Sequence, residues 1–157
     1  MLERMSRRNI FPKPGRDKDF AFKNVIHFSK INEIPYWSRS RYDEEKNDVL
    51  VKILFSHGNG EDLYICSKYL QNLIDNYLAK HMPEESEKSV GFVIWAWDYP
   101  SYSESLKPYD SLCEQIIKDD AEQVYRRMQK TNFINPENKK IKQITLTVGF
   151  SLGCFPT

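Results

Sequence analysis

Two stretches of the chain are apolar almost without interruption, Val49 to Ser56 (VLVKILFS) and Val90 to Trp97 (VGFVIWAW), and Ile144 to Phe150 (ITLTVGF) is a third of the same kind. Runs of this length, rich in β-branched and aromatic residues, predict strands buried on both faces, as in a parallel sheet. Between them the period changes. Apolar residues recur at Leu63, Cys66, Leu70, Leu73, Ile74 and Tyr77 within Glu61 to Ala79, and at Leu112, Ile116, Ile117, Ala121, Val124 and Met128 within Ser111 to Gln129. Three-and-four spacing marks one face of a helix. Glu61 and Asp62 at the head of the first helix suit the helix dipole, as do Arg126, Arg127 and Lys130 at the tail of the second. Strand, helix, strand, helix, strand is the pattern of parallel core strands with crossover helices, so the fold class is α/β.

Upstream, Asn24 to Ser29 and Ile34 to Ser38 flank a polar stretch and predict a short antiparallel hairpin leading into that sheet. Met1 to Phe20 mixes charges with Pro12, Pro14 and Gly15 and reads as an irregular N-terminal arm, leaving 21–157 as the folded domain. The polar segments His81 to Ser89 and Thr131 to Lys142 read as exposed loops.

Composition narrows the function. With 23 Lys and Arg against 22 Asp and Glu, the formal net charge of +1 gives no pull toward nucleic acid, and none is expected as a partner. Cys66, Cys113 and Cys154 are too few and too scattered for a disulfide framework or a zinc knuckle, which points to a reducing, cytoplasmic setting without a metal. The first ten residues lack a signal-peptide core, and no run approaches the ~20 apolar residues of a spanning helix, so no transmembrane segment is expected. Peripheral membrane contact stays open.

The chemistry-bearing residues stand at the strand ends. Gly149-Phe150-Ser151-Leu152-Gly153 is a GxSxG pattern directly after the third core run, the context of a nucleophile elbow. There a serine occupies a tight strand-to-helix turn, and the residues two before and two after it must be free of colliding side chains. His57-Gly58-Asn59-Gly60 follows the first core run. Hydrolases draw one oxyanion donor from this loop and the other from the residue after the nucleophile, which makes the amides of Asn59 and Leu152 the candidates. His57 reads as a loop-organising residue. A dinucleotide loop also opens with Gly58-x-Gly60, but its fingerprint needs glycine where this chain has Leu63, and no cofactor is expected. Cys154 reads as a small buried residue rather than a thiol nucleophile, and Trp37, Trp95, Trp97, Tyr99 and Tyr102 as core packing or acyl-pocket lining.

After the second core run comes Asp98-Tyr99-Pro100-Ser101-Tyr102-Ser103-Glu104-Ser105. The succession of HGN, DYxxYxxS and GxSxGxxPT resembles the α/β-hydrolase branch that includes protein depalmitoylating thioesterases, over about Asn24 to Thr157. Serines stand at 101 and 103 where members of that branch carry glycine, and its N-terminal cysteine cluster is absent. The resemblance implies Ser151 as nucleophile, the Asn59 and Leu152 amides as oxyanion donors and a structural role for Asp98. His57, Gly58, Gly149 and Gly153 complete the motif. It implies a serine hydrolase acting on an ester or thioester, with an acylated protein or lipid among the candidate substrates. Hydrolases of this fold place the acid and the histidine after the serine, whereas only Leu152 to Thr157 follow Ser151 here. The chain therefore reads as the N-terminal portion of an α/β-hydrolase fold and is expected to be inactive by itself. The other reading is a non-catalytic α/β module that binds partners through an exposed sheet edge.

Overall fold

A computed structural model describes residues 29–31, 34–43, 45–78, 90–100, 102, 113–131, 141–154 and 156. The expected N-terminal arm, the first of the two exposed loops and most of the second lie outside them. The described chain forms a mixed five-stranded sheet in the order β1-β2-β4-β3-β5. Its strands are β1 (Ser29–Ile31), β2 (Ile34–Arg41), β3 (Val49–Ser56), β4 (Val90–Trp97) and β5 (Lys142–Gly149). The hairpin is present, with β1 antiparallel to β2; its first strand includes Lys30 and Ile31, read as a polar connection, while 24–28 of the expected strand lie outside the described residues. Lys30 and Ile31 belong to the strand because they pair with Pro35 and Ile34, a gain in backbone bonding that outweighs the polar character of the stretch. Antiparallel β2 joins parallel β4 and β3, and β5 runs parallel to β3. The three core strands are thus parallel in one sheet, as the crossover pattern requires.

Helix α1 (Leu63–Asn72) continues into a π-helical turn (Leu73–Leu78), and α2 (Glu114–Lys130) joins β4 to β5. Helix α1 starts two residues later than its pattern suggests, because Asp62 stands outside it as the N-cap, its carboxylate accepting from the Ile65 amide. Nothing in the three-and-four spacing signals the π turn. It rotates the stripe, so Ile74 stays buried while Leu73 and Tyr77 turn outward.

Alternation along the strands sends successive side chains to opposite layers. On one face Trp37, Phe55, Ile94 and Ala96 pack against Leu63, Cys66, Leu70 and Ile74 of α1 and its extension. On the other, Leu50, Leu54, Val93, Trp95 and Trp97 meet Ile117, Ala121, Val124 and Met128 of α2. Each aliphatic side chain so buried contributes about 1.5–3 kcal/mol, which makes these two layers the main stabilising element. Lys52 sits fully buried within the second layer. Its Nζ lies 3.0 Å from the Thr131 carbonyl, 3.3 Å from that of Met128 and 3.4 Å from that of Gln129, closing the C-terminal end of α2. Burial pushes its amine below the ordinary lysine range.

The expectation of burial fails at β5. Ile144, Leu146 and Val148 are 38%, 46% and 41% exposed, respectively. They lie on the α1 side, in register with Val51, Ile53 and Phe55, but α1 packs chiefly over β4 and β2 and does not reach them. Among the described residues β5 is an edge strand, and none of their helices is long and apolar enough to cross a membrane.

Candidate active site

Parallel pairing in register brings three loops to one level. Ser56, the last residue of β3, pairs with Trp97, the last of β4, and with Gly149, the last of β5. The chain therefore leaves the sheet at His57, Asp98 and Phe150 side by side, at the carboxyl ends where open α/β sheets place their ligand crevices.

The loop after β5 is a tight turn. Phe150 N–H donates to the Ser56 carbonyl at 3.1 Å, extending the ladder by one step. Ser151 then takes a φ of 55°, the only non-glycine residue with positive φ among the described residues, and opens a 3-10 turn (Ser151–Cys154). Such a conformation in a serine carries strain that its surroundings must impose. They do so through two glycines. A Cβ on Gly149 would fall closer than 3.0 Å to the Gly153 carbonyl, and a Cβ on Gly153 closer than 3.0 Å to the Ser56 carbonyl. The Gly153 amide closes the turn on the Phe150 carbonyl at 2.9 Å. Cys154, expected to be buried, is exposed, with its thiol 3.1 Å from the Gly149 carbonyl. The short 3-10 turn places no core layer over it.

The loop after β3 is clamped from below. His57 is fully buried, with Nδ1 2.9 Å from the Gly58 carbonyl and Nε2 3.1 Å from Asp98 Oδ1. Asp98 Oδ1 also accepts the Leu63 amide at 3.0 Å, which ties the start of α1 to the loop after β4. Tyr99 donates to the His57 carbonyl at 2.6 Å, and Tyr102 Oη lies 2.8 Å from Asn59 Oδ1 and 3.1 Å from its carbonyl. The His57 and Tyr99 rings are 4.4 Å apart. Glu61 Oε2 accepts the Gly58 amide at 3.1 Å. Burial pushes the Tyr99 hydroxyl well up and raises the Asp62 carboxyl, the latter with help from the nearby Asp98 charge.

The two loops touch. A Cβ on Gly58 would come within 2.9 Å of the Phe150 ring, so the glycine permits the close approach of the HGN segment to the turn before Ser151. Phe150 itself is 61% exposed.

All eight residues singled out in the sequence, namely Ser151, Asn59, Leu152, His57, Gly58, Asp98, Gly149 and Gly153, lie in these three neighbouring loops. Trp37, Trp95, Trp97, Tyr99 and Tyr102 are buried, in keeping with the core-packing reading. The structure does not bring a histidine to the serine: both ring nitrogens of His57, the one histidine among the described residues, face Gly58 and Asp98. His27 and His81 lie outside the described residues. Sequence reasoning missed Glu61 and Tyr102 as loop clamps. A glutamate three residues after Gly58, at the head of a helix, resembles the reach-back of a capping box and could have signalled the first.

No family model, curated protein or solved structure matches this chain. The site is therefore argued from its geometry.

Proposed function

We propose that this chain carries the serine nucleophile of an acyl hydrolase acting on an ester or thioester. The observation that carries the reading is the positive φ of Ser151 at a parallel strand end, enforced by Gly149 and Gly153. A folded chain retains a strained residue where the strain has a use, and here it lifts a hydroxyl out of the strand beside a second glycine loop. In this reading Ser151 Oγ attacks the acyl carbonyl carbon, the serine proton passes to a histidine base, and the carbonyl oxygen becomes an oxyanion. The Leu152 amide heads the 3-10 turn, a position without an intrahelical acceptor, and with the Asn59 amide it receives that oxyanion. The base and its carboxylate come from residues other than His57 and Asp98, which serve the loop. The finer fold assignment, the N-terminal portion of an α/β-hydrolase of the depalmitoylase-like branch, rests on the HGN, DYxxYxxS and GxSxG succession together with this geometry.

The test supplies a base from outside. With imidazole in solution, a fluorophosphonate probe should label the chain on Ser151, since oxyanion stabilisation alone sustains roughly 10³–10⁴-fold catalysis over water when a triad member is gone. Ser151→Ala should abolish the label. Labelling that survives the substitution, or a wild-type chain no more reactive than free serine, removes the proposal. The exposed Ile144, Leu146 and Val148 favour a second reading, a partner-binding α/β module, which predicts unreactive Ser151 and a protein that captures its partner along β5.

A further inference from the structure

We infer that the chain forms a reversible two-fold dimer by pairing β5 antiparallel with β5 of a second copy, with Leu146 on the two-fold axis. The inference does not depend on the hydrolase reading.

The direction of the free backbone groups follows from the bonds that β5 already makes. The amides of Lys142 and Phe150, at its two ends, donate to the carbonyls of Asp48 and Ser56 on the β3 side, each at 3.1 Å. Along an extended strand the N–H and C=O of successive residues turn to opposite sides, so the even-numbered residues between these two face β3 as well. Gln143, Thr145, Thr147 and Gly149 therefore turn their N–H and C=O outward, on a strand that ends the sheet among the described residues. The Gly149 carbonyl lies 3.1 Å from the Cys154 thiol. Such an edge is a template for a further strand, and folds blunt it with proline, charge or a bulge. From Gln143 to Gly149, β5 has no proline and no charge, and it pairs with β3 residue for residue without a bulge.

The sequence of β5 is its own complement. Outward groups bond across an antiparallel junction only where odd-numbered residues face odd-numbered ones. A two-fold axis through Leu146 meets that condition over the whole strand. Thr145 then faces Thr147 of the second copy, Gln143 faces Gly149, Ile144 faces Val148, and Leu146 faces itself. Residues that face each other share one side of the sheet. On the α1 side the three aliphatic positions meet aliphatic positions, in the non-hydrogen-bonded pairs where side chains stand closest. On the α2 side threonine meets threonine, a favourable cross-strand pair. Lys142, the one charged residue of the strand, shares the parity of the aliphatic row and comes opposite the exposed Phe150 ring of the second copy, where a cation–π contact is available. An unrelated strand would have to reproduce this alternation and place its charge at one end, whereas a second copy does so by symmetry.

Area sets the strength of the association. A strand of eight residues is about 26 Å long, and pairing it covers roughly 500 Å² per copy, or about 1,000 Å² in all. That lies at the low end for specific interfaces, so the dimer exchanges with monomer in the micromolar range and is not obligate. The two-fold occupies β5 in both copies. The other edge strand among the described residues, β1, is three residues long, too short to propagate the sheet further.

Sedimentation velocity on the full chain, from micromolar to several hundred micromolar, should show a monomer–dimer equilibrium. Leu146→Lys sets two like charges opposite each other on the axis and should leave a monomer throughout that range. Tyr125→Lys removes an exposed aromatic side chain from α2 and should leave the equilibrium unchanged. Register is read by disulfide trapping in a background of Cys113→Ser and Cys154→Ser, with Cys66 buried. Leu146→Cys faces itself with Cα atoms about 4.5 Å apart, within the span of a disulfide, and should cross-link. Ile144→Cys alone should not, because its two copies stand about 13 Å apart along the strands, but mixed with Val148→Cys it should form a cross-linked heterodimer. A monomer at every concentration overturns the inference. So do assemblies that grow beyond a dimer, a dimer that survives Leu146→Lys, and Ile144→Cys cross-linking to itself in preference to Leu146→Cys. Fluorophosphonate labelling of Ser151 tests the hydrolase reading separately, and its failure leaves the dimer standing.

Discussion

Gly153→Ala is the sharpest probe of the elbow. The added methyl falls against the carbonyl oxygens of Ser56 and His57, backbone atoms that cannot swing aside as the tip of a side chain could. To restore ordinary contact, the turn must move by about 1 Å away from β3, and overpacking of this kind costs about 1–3 kcal/mol. For a chain of 157 residues that corresponds to a fall in Tm of roughly 2–12 °C. Under the proposed hydrolase reading the chemistry suffers more, because a displacement of about 1 Å in a reacting group lowers rates by about 10²-fold. Thermal unfolding followed by circular dichroism measures the first effect, and the rate of imidazole-supported fluorophosphonate labelling the second. Gly60→Ala is the control: no atom lies within 4 Å of its Cβ position and its φ is not positive, so stability should change by about 0.5 kcal/mol or less. If Gly153→Ala melts and labels like the wild type while Gly60→Ala is equally silent, the turn is not under the steric constraint described.

Other substitutions test the supports of the site. Lys52→Met removes the donor to three carbonyls at the C-terminal end of α2, those of Met128, Gln129 and Thr131, and should cost about 1–3 kcal/mol in urea unfolding at pH 7. Because burial lowers the Lys52 amine, its titration favours the folded state fully above the ordinary lysine value of 10.5 and loses that as pH falls through the lowered one, so the gap between wild type and Lys52→Met should widen from pH 7 to pH 10. Asp62→Ala should cost about 1 kcal/mol, the worth of an N-cap. Asp62→Asn keeps the cap, and since burial raises the Asp62 carboxyl, ionisation weakens the fold as pH rises through that raised value. The asparagine variant should match or exceed the wild type at pH 7.5 and lose that advantage below pH 3.8. Tyr102→Phe should cost about 1 kcal/mol and raise amide exchange in the 57–60 loop, as followed by mass spectrometry.

The core of this fold was legible where one physical signal dominated. Val49–Ser56 and Val90–Trp97 were read to the residue, because strands covered on both faces leave no polar period to confuse the reading. The alternation of ITLTV differs from the other two core runs. Threonines at 145 and 147 facing one layer and aliphatics facing the other describe a strand whose cover differs from that of its neighbours. Lys52 was hidden inside an apolar run, since nothing in VLVKILFS announces that its head group meets the end of a helix some eighty residues later. The π turn has no distinct sequence period and appeared as one long helix. At the site, the elbow was visible because GxSxG states a local steric demand. The pairing of His57 with Asp98 spans 41 residues and depends on strand register, so neither the motif nor the spacing announces it.

The common row formed by Trp97, Ser56 and Gly149 makes the chemistry hostage to pairing fidelity. A slip of β5 by one residue against β3 would raise the serine by about 3.3 Å and reverse every side chain of the strand, exchanging threonines for aliphatics on the α2 side. Hydrogen bonds in a parallel ladder are evenly spaced, so the slipped form would keep nearly the same number. Far-ultraviolet circular dichroism would hardly notice it. Inactive molecules with full sheet content would then accumulate beside active ones, and the fraction of labelled serine in a purified sample would count how often the last strand found its place.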